Sequence, residues 1–476
     1  MNVDYVKNTK SNKHITHLGI YFIGALLLNG LSFLTTPIYT RILPIDDFGV
    51  VTIFRTWVMF FSTFIGLQVV GSIATARVHK SEKDFEVYMK NITMLSLFGF
   101  LILSLIVILF KFQIGKILNL DSTLVFHLLI QSYGTACVNL FTVYTIQTRK
   151  PKQNVIFSIL FAFFSTLISI MIILSLSNDM YMGKIYGYTI AYTIIIIFVL
   201  FRFLLITGKF RISDWKYSLL LGTPLILHLM SNILISQSDR IFLERIIGQT
   251  AVAIYSVSYT IATIGLILSE ITNKIWSPWY LDQTKAGETK KINSVSLLYV
   301  KLISIIFISL SLVSNEILVL MAPIEYQSGI SSLLIIVFAI FFQFLYRFPL
   351  GFEQYCKNMK WVALNTLIAT GVNISINFIL ISRIGILGAA ISTLVSYIIL
   401  FLLHEFVARN IIKGYNIEFR NYIFGIFGVG SIAILSYIFI NLWPVRYFCL
   451  VLIWCISIYH FLKNKKNSSR GGFIND

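Results

Sequence analysis

Arg55 and Lys301 each stand about two helical turns inside a long apolar run of this 476-residue chain. A cation at such depth costs roughly 2.5–3.5 kcal/mol on membrane-insertion scales, so something must offset it. One offset is snorkelling of the long side chain to an interface. The other is a wet cavity whose positive field attracts an anion. Both cations suit a phosphate, Arg through its planar fork and Lys as a point charge.

Polar residues recur around these cations at i, i+3/4 and i+7, the spacing of one helix face. Asn29, Ser32 and Thr36 form one such stripe, and Gln131, Thr135, Asn139 and Thr142 another. Further on come His228, Asn232, Ser236 and Asp239, then Ser256, Thr260, Thr263, Glu270 and Lys274. Lys301, Ser304 and Ser311 share a face, as do Thr366, Thr370, Asn373 and Asn377. Any single Ser or Thr reads most simply as a hydrogen-bonded contact between helices. The stripes together read as the lining of a hydrophilic cavity, because polar groups inside a membrane face the bundle interior or water. Arg55, Lys301, Asn29, His228, Asn232, Asn373 and Asn377 are the substrate-binding candidates. His228 titrates near neutral pH, but a lone histidine on a Ser/Asn face needs only a hydrogen-bond partner. Pro224, four residues earlier, is placed to kink its helix. Asp239 and Arg240 close the seventh apolar run at its outer end. Glu270 and Lys274, at i and i+4, are expected to pair with each other. These four are the gating or ion-pair candidates.

The elements that must position these residues are membrane helices. Apolar residues make up 57% of the chain and charged residues 12%, outside the range of soluble globular proteins. Fourteen apolar spans are expected, at 18–36, 48–71, 91–110, 123–146, 154–176, 184–206, 217–237, 251–273, 295–314, 329–346, 361–381, 384–404, 421–440 and 444–462. Each is near the ~20 residues that cross a ~30 Å hydrocarbon core as a helix. Strands of a transmembrane barrel would instead alternate in polarity over ~10 residues.

Charge fixes the orientation. Of 38 Lys and Arg residues, 28 fall in every second hydrophilic segment, beginning with the N-terminal tail. Basic segments resist translocation, so both termini are expected in the cytoplasm. The net charge of +18 is scattered over eight short segments and does not describe a nucleic-acid face. The basic stretch 463–470 suits anionic lipid headgroups. Cys137, Cys356, Cys449 and Cys455 have no metal-ligand or CxxC spacing, so neither disulfide nor metal is assigned. P-loop, G-x-S-x-G and H-E-x-x-H motifs are missing, as is any long hydrophilic segment that could house a soluble catalytic domain. An enzyme and a cofactor are therefore not expected, and transport would draw on an ion gradient or the substrate's own.

The chain also echoes itself. Pro37 leads into Tyr-Thr-Arg-Ile-Leu-Pro-Ile-Asp-Asp-Phe-Gly-Val-Val, and Asp239 into Arg-Ile-Phe-Leu-Glu-Arg-Ile-Ile-Gly-Gln-Thr-Ala-Val-Ala-Ile-Tyr. Gly49 then matches Ala253, six spans later and in the same orientation. Parallel repeats about the membrane normal are a transporter design. The expected domains are a six-helix lobe at 1–212, a second at 213–415, and two extra helices with a basic tail at 416–476.

The segment Leu-Thr-Thr-Pro-Ile-Tyr-Thr-Arg-Ile-Leu-Pro-Ile-Asp-Asp-Phe-Gly-Val-Val (34–51) resembles the opening of bacterial polysaccharide flippases of the Wzx/RfbX type, within the multidrug/oligosaccharidyl-lipid/polysaccharide exporter superfamily. Ser-Asp-Arg-Ile-Phe-Leu (238–243) with Ala-Val-Ala-Ile-Tyr-Ser-Val-Ser-Tyr (251–259) is similar to the start of that family's second half. The resemblance implies translocation of an undecaprenyl-diphosphate-linked oligosaccharide across the bacterial cytoplasmic membrane, by alternating access around a cationic cavity. It implies membrane lipids, a polymerase and a chain-length regulator as further partners. A cation-coupled drug exporter of the same superfamily, a glycan-modifying membrane enzyme and a non-transporting scaffold are the alternatives.

Overall fold

The computed structural model describes residues 33–470, with backbone alone at 227–228 and 460–470. Among these residues the regular structure is helical throughout, as a backbone without water to bond to requires. Twelve helices among them are long and apolar enough to cross a membrane. They are α1 (Ile45–Ile65), α2 (Glu82–Leu109), α3 (Ser122–Gln147), α4 (Pro151–Ser175), α5 (Met180–Leu204) and α6 (Ile212–Ile246), followed by α7 (Gln249–Ala286), α8 (Thr289–Leu312), α9 (Ile324–Tyr355), α10 (Met359–Ile384), α11 (Ile386–Ile412) and α12 (Arg420–Ile438). A further helix, α13 (Trp443–Arg470), carries a shorter apolar stretch, Trp443–Tyr459. The expected first span lies almost wholly outside the described residues. The second ends earlier than expected: α1 stops at Ile65, and Leu67 and Gln68 take left-handed φ values of 50° and 45° before the chain resumes as a short 3-10 turn.

Local chemistry sets the helix ends. The Ser81 hydroxyl caps α2 by accepting from the Asp84 amide at 3.2 Å, and Asp121 caps α3 through the Thr123 amide at 3.0 Å. Pro151 opens α4, where its missing N–H is no loss.

The chain divides into two compact units, the first ending at Ala253 and the second beginning at Ile254. In the first, α4 packs along α5, α3 against α5, and α2 against α6; in the second, α10 packs along α11, α9 against α11, and α8 against α12. The same pairing thus recurs six helices later. Small residues allow the closest approaches. A Cβ on Gly187 of α5 would lie 2.5 Å from the Ser169 backbone of α4, and one on Gly183 2.7 Å from that of Ile173. Gly183 and Gly187 form a small-x-x-x-small stripe of the kind that lets membrane helices touch.

Within the first unit, α6 is fastened at its start to α2. Buried Asp214 accepts from Lys80 Nζ at 2.9 Å and from Asn91 Nδ2 at 2.7 Å, and Trp215 Nε1 donates to the Asn91 carbonyl at 2.8 Å. The start of α12 is tied to α8 in a similar way, by Asn421 Nδ2 donating to Ser296 Oγ at 3.0 Å and the Asn293 carbonyl at 3.1 Å.

Candidate functional site

Arg55 lies mid-way along α1, between buried Phe54 and Thr56, and its own side chain is exposed. The helix turns its apolar neighbours inward and the guanidinium out of the core. Asp47, in the first turn of α1, accepts from the Tyr181 amide at 3.0 Å and so pins the N-terminus of α5 beside α1. One turn further along α5 comes Lys184. Its Nζ sits 3.7 Å from the ring centroid of buried Tyr39 and 5.1 Å from that of Phe48. Cations gain from the negative face of an aromatic ring, more so when water is excluded.

Lys184, Tyr188 and Tyr192 recur at i, i+4 and i+8, so they stripe one face of α5. α1 packs against α5, and Arg55 lies near enough to Lys184 and Tyr192 for its charge to bear on both. The Tyr192 ring lies against Gly134 of α3, where a Cβ would come within 2.4 Å of it. Gln131, one turn before Thr135, donates to the Ile185 carbonyl at 2.9 Å and Thr189 Oγ1 at 3.0 Å, holding α5 in register with α3. Among the described residues neither Arg55 nor Lys184 has an ion pair with a carboxylate. Two like charges held together without a counter-charge make a local field that favours an anion. Tyrosine hydroxyls beside them add neutral donors.

Lys184 was not singled out by sequence reasoning, because it stands at the boundary of the sixth span and counts there as an outer-loop cation. Its spacing from Tyr188 and Tyr192 was the available signal. The other candidates are dispersed. Lys301 on α8 is exposed and its Nζ lies 5.7 Å from the Phe424 ring of α12. Asn373 and Asn377 are fully buried on α10: Asn373 Nδ2 donates to Ser392 Oγ of α11 at 3.3 Å, that hydroxyl donates to the Asn373 carbonyl at 2.9 Å, and Asn377 Nδ2 donates to Asn373 Oδ1 at 3.0 Å. Asn232 is half-buried on α6, Asp239 fully buried, and Arg240 donates to the Ser236 carbonyl of its own helix at 3.0 Å. Asn29 and the side chain of His228 lie outside the described residues.

The expected pairing of Glu270 with Lys274 is corrected. Glu270 Oε1 instead accepts from Arg347 Nη2 of α9 at 3.0 Å, while Lys274 is exposed. A guanidinium from a packed neighbour outcompetes an i+4 ammonium that loses little by staying in solvent.

The fold and this polar face together define a class. The chain is similar in fold to the structure described as "Lipid II flippase MurJ, inward closed conformation", with a TM-score of 0.62 at 14% identity over 93% of this chain and 99% of that one. An inward-facing multidrug resistance MATE family transporter of the MOP superfamily matches with a TM-score of 0.58 at 14% identity, over 82% of this chain and 98% of that one. A MOP superfamily transporter from Pyrococcus furiosus matches at 0.54 and 15% identity, over 84% and 96%. The architecture is therefore that of a MOP-type transporter. Residues 16–280, more than half of the chain, match the family model described as "Polysaccharide biosynthesis protein", and the chain belongs to that family. No curated protein matches it.

Proposed function

We propose that this protein is a flippase that carries an undecaprenyl-diphosphate-linked oligosaccharide repeat unit across the bacterial cytoplasmic membrane, for O-antigen, capsule or a related polysaccharide. One observation carries the reading: Arg55 lies beside the face of α5 that bears Lys184, Tyr188 and Tyr192, and among the described residues no carboxylate pairs with either cation. A diphosphate joining lipid to sugar is an anion that needs a partner at membrane depth. Arg55 supplies a bidentate fork, Lys184 a compact charge, and the tyrosines hydrogen-bond donors suited to phosphate or sugar oxygens. A cationic drug would meet repulsion at this face, which favours the glycan over the drug-exporter alternative. On this reading the chain moves its substrate without changing a covalent bond and is not an enzyme.

The test is export. A deletion strain should accumulate lipid-linked oligosaccharide on the cytoplasmic leaflet, and the wild-type gene should clear it. Arg55→Ala and Lys184→Ala should each leave it trapped at normal protein level. Arg55→Lys should rescue only in part, since the fork is lost. Wild-type export by the double alanine variant would overturn the reading.

A further inference from the structure

The second unit holds a buried acid–base pair that the cationic face does not use. Glu353 and His404 are both fully buried, 51 residues apart in the chain, and His404 Nδ1 lies 3.0 and 2.9 Å from the two carboxylate oxygens. Both stand beside breaks in regular helix. α9 is interrupted at Tyr346 between Ile330–Leu345 and Arg347–Tyr355. The cause is Pro349, which has no N–H to give the Leu345 carbonyl. Glu353 lies on the segment beyond the break. His404 lies in the last α-helical turn of α11, just before the π-helical turn Val407–Ile412. The pair therefore fastens a hinged segment to a helix that itself changes pitch.

The charges around the pair do not balance it. From α9, Tyr346 places its ring 5.6 Å from the His404 ring, and Arg347 is taken by Glu270. From α10, the Asn365 amide lies 3.4 Å from Nδ1. On α11 itself, Glu405 is matched by Arg409. His404 Nε2 is buried with no hydrogen-bond partner. The pair is thus electrically neutral only when it carries one proton more than a carboxylate and a neutral imidazole would. A net charge buried here costs several kcal/mol.

We infer that Glu353 and His404 form a single-proton site which latches the segment Arg347–Tyr355 onto α11, so that above the ordinary histidine range docking takes up one proton and release gives it back. Free in water, a glutamate carboxyl titrates near about 4.3 and an imidazole near about 6.5. Between those values the released groups hold the same single proton as the docked pair. Above about 6.5 the released histidine is neutral, and docking must draw a proton from solution. The latch is therefore strongest between about 4.3 and about 6.5 and weakens as pH rises beyond that window. A segment that opens and closes with one proton gives this unit a means of linking movement to a proton gradient.

Cys356, partly exposed and three residues beyond Glu353, reports on the segment. With Cys137, Cys449 and Cys455 replaced by Ala, a spin label on Cys356 in full-length protein in lipid nanodiscs is followed from about pH 5 to about pH 9, bracketing the ordinary histidine value. The expected result is an ordered line shape at low pH and a mobile fraction that grows above about 6.5 with a one-proton slope. Glu353→Gln leaves the docked histidine neutral, so the dependence should invert, with mobility growing below about 6.5. His404→Gln leaves the proton to the carboxyl alone, so mobility should begin near about 4.3 and persist across the range. A flat wild-type profile, or an unchanged transition in either variant, would overturn the inference. No glycan enters the measurement, so it succeeds or fails independently of the flippase reading.

Discussion

The Arg55–Lys184 face and the Glu353–His404 site treat charge in opposite ways. In the first unit two cations stand near each other, and among the described residues neither is paired with a carboxylate. In the second, Glu353 meets His404, Glu405 meets Arg409, Glu270 meets Arg347, and Glu316 meets Arg446, which is only 3% exposed. Paired charge within a membrane protein is a structural element: removing one partner leaves the other stranded. Unpaired charge is a site waiting for a ligand, because its field is satisfied only by something that arrives. The first unit also contains pairs, Lys80 with Asp214 and Arg202 with Glu86, but they fasten helix ends and leave the cationic face alone. The two units thus repeat a helix pairing, and as proposed the first would have an anion to hold and the second a proton.

That contrast is broken most directly by removing the cations. Each contact to a charged group is worth about 1.5–3 kcal/mol, so Arg55→Ala with Lys184→Ala should weaken binding of a diphosphate headgroup by about a hundredfold or more. Purified protein titrated with a short polyprenyl diphosphate checks the affinity. The thermal unfolding midpoint should fall only slightly, since Lys184 gives up its ring contacts with Tyr39 and Phe48 but no carboxylate among the described residues loses its partner. A large loss of stability instead would show that the two cations are structural after all.

In the second unit the signs should reverse. Glu316→Ala leaves Arg446 buried against the Leu312 carbonyl at 2.6 Å, and should destabilise the protein by about 3 kcal/mol. Glu316→Leu with Arg446→Leu should recover most of that, because a packed apolar pair replaces an ionic one. Unfolding in detergent followed by tryptophan fluorescence measures both. Equal losses in the single and double variants would mean that the pair does more than neutralise itself.

How far the sequence disclosed these features follows from their range along the chain. The spans were legible because hydropathy is local, and twelve of them coincide with described helices within a few residues at their apolar cores. Arg55 was legible because a cation amid apolar neighbours stands out. Lys184 was not, since one turn separates a loop cation from a site cation and only the Asp47–Tyr181 contact, 134 residues apart, decides which it is. Glu353 and His404 meet across 51 residues and Glu270 and Arg347 across 77. No periodicity within a helix encodes such partners. The i, i+4 rule chose Lys274 for Glu270 because it weighs only neighbours on one helix.

The first unit holds its like charges in place by close packing, and that too can be tested. Gly187→Ala places a methyl 2.5 Å from the Ser169 backbone, where no flexible side chain can yield. Overpacking of this kind costs about 1–3 kcal/mol. It should also push α4 from α5 and lower export by shifting the stripe that bears Lys184. An alanine variant with wild-type stability would show that α4 and α5 adjust freely, and that the position of Lys184 is set by Asp47 and Gln131 alone.

Lys301 offers the finest test, because the sequence expects it to act with Arg55 and its surroundings differ. Arg55 stands beside a second cation and a pair of tyrosines, whereas Lys301 is exposed over a single ring, Phe424, itself half-exposed. An exposed cation–π contact is worth about 0.5–1 kcal/mol, so Lys301→Ala should lower stability by about 0.5 kcal/mol. Export should stay near wild type, because an ammonium over one aromatic ring at an exposed helix face has the arrangement of an interface anchor. Lys301→Arg should restore the small loss, since a guanidinium stacks on the ring equally well. If Lys301→Ala instead blocks export with the protein intact, the anion is held by cations from both units. The division of labour between an anion-seeking first unit and a charge-paired second one would then fail at its most exposed residue.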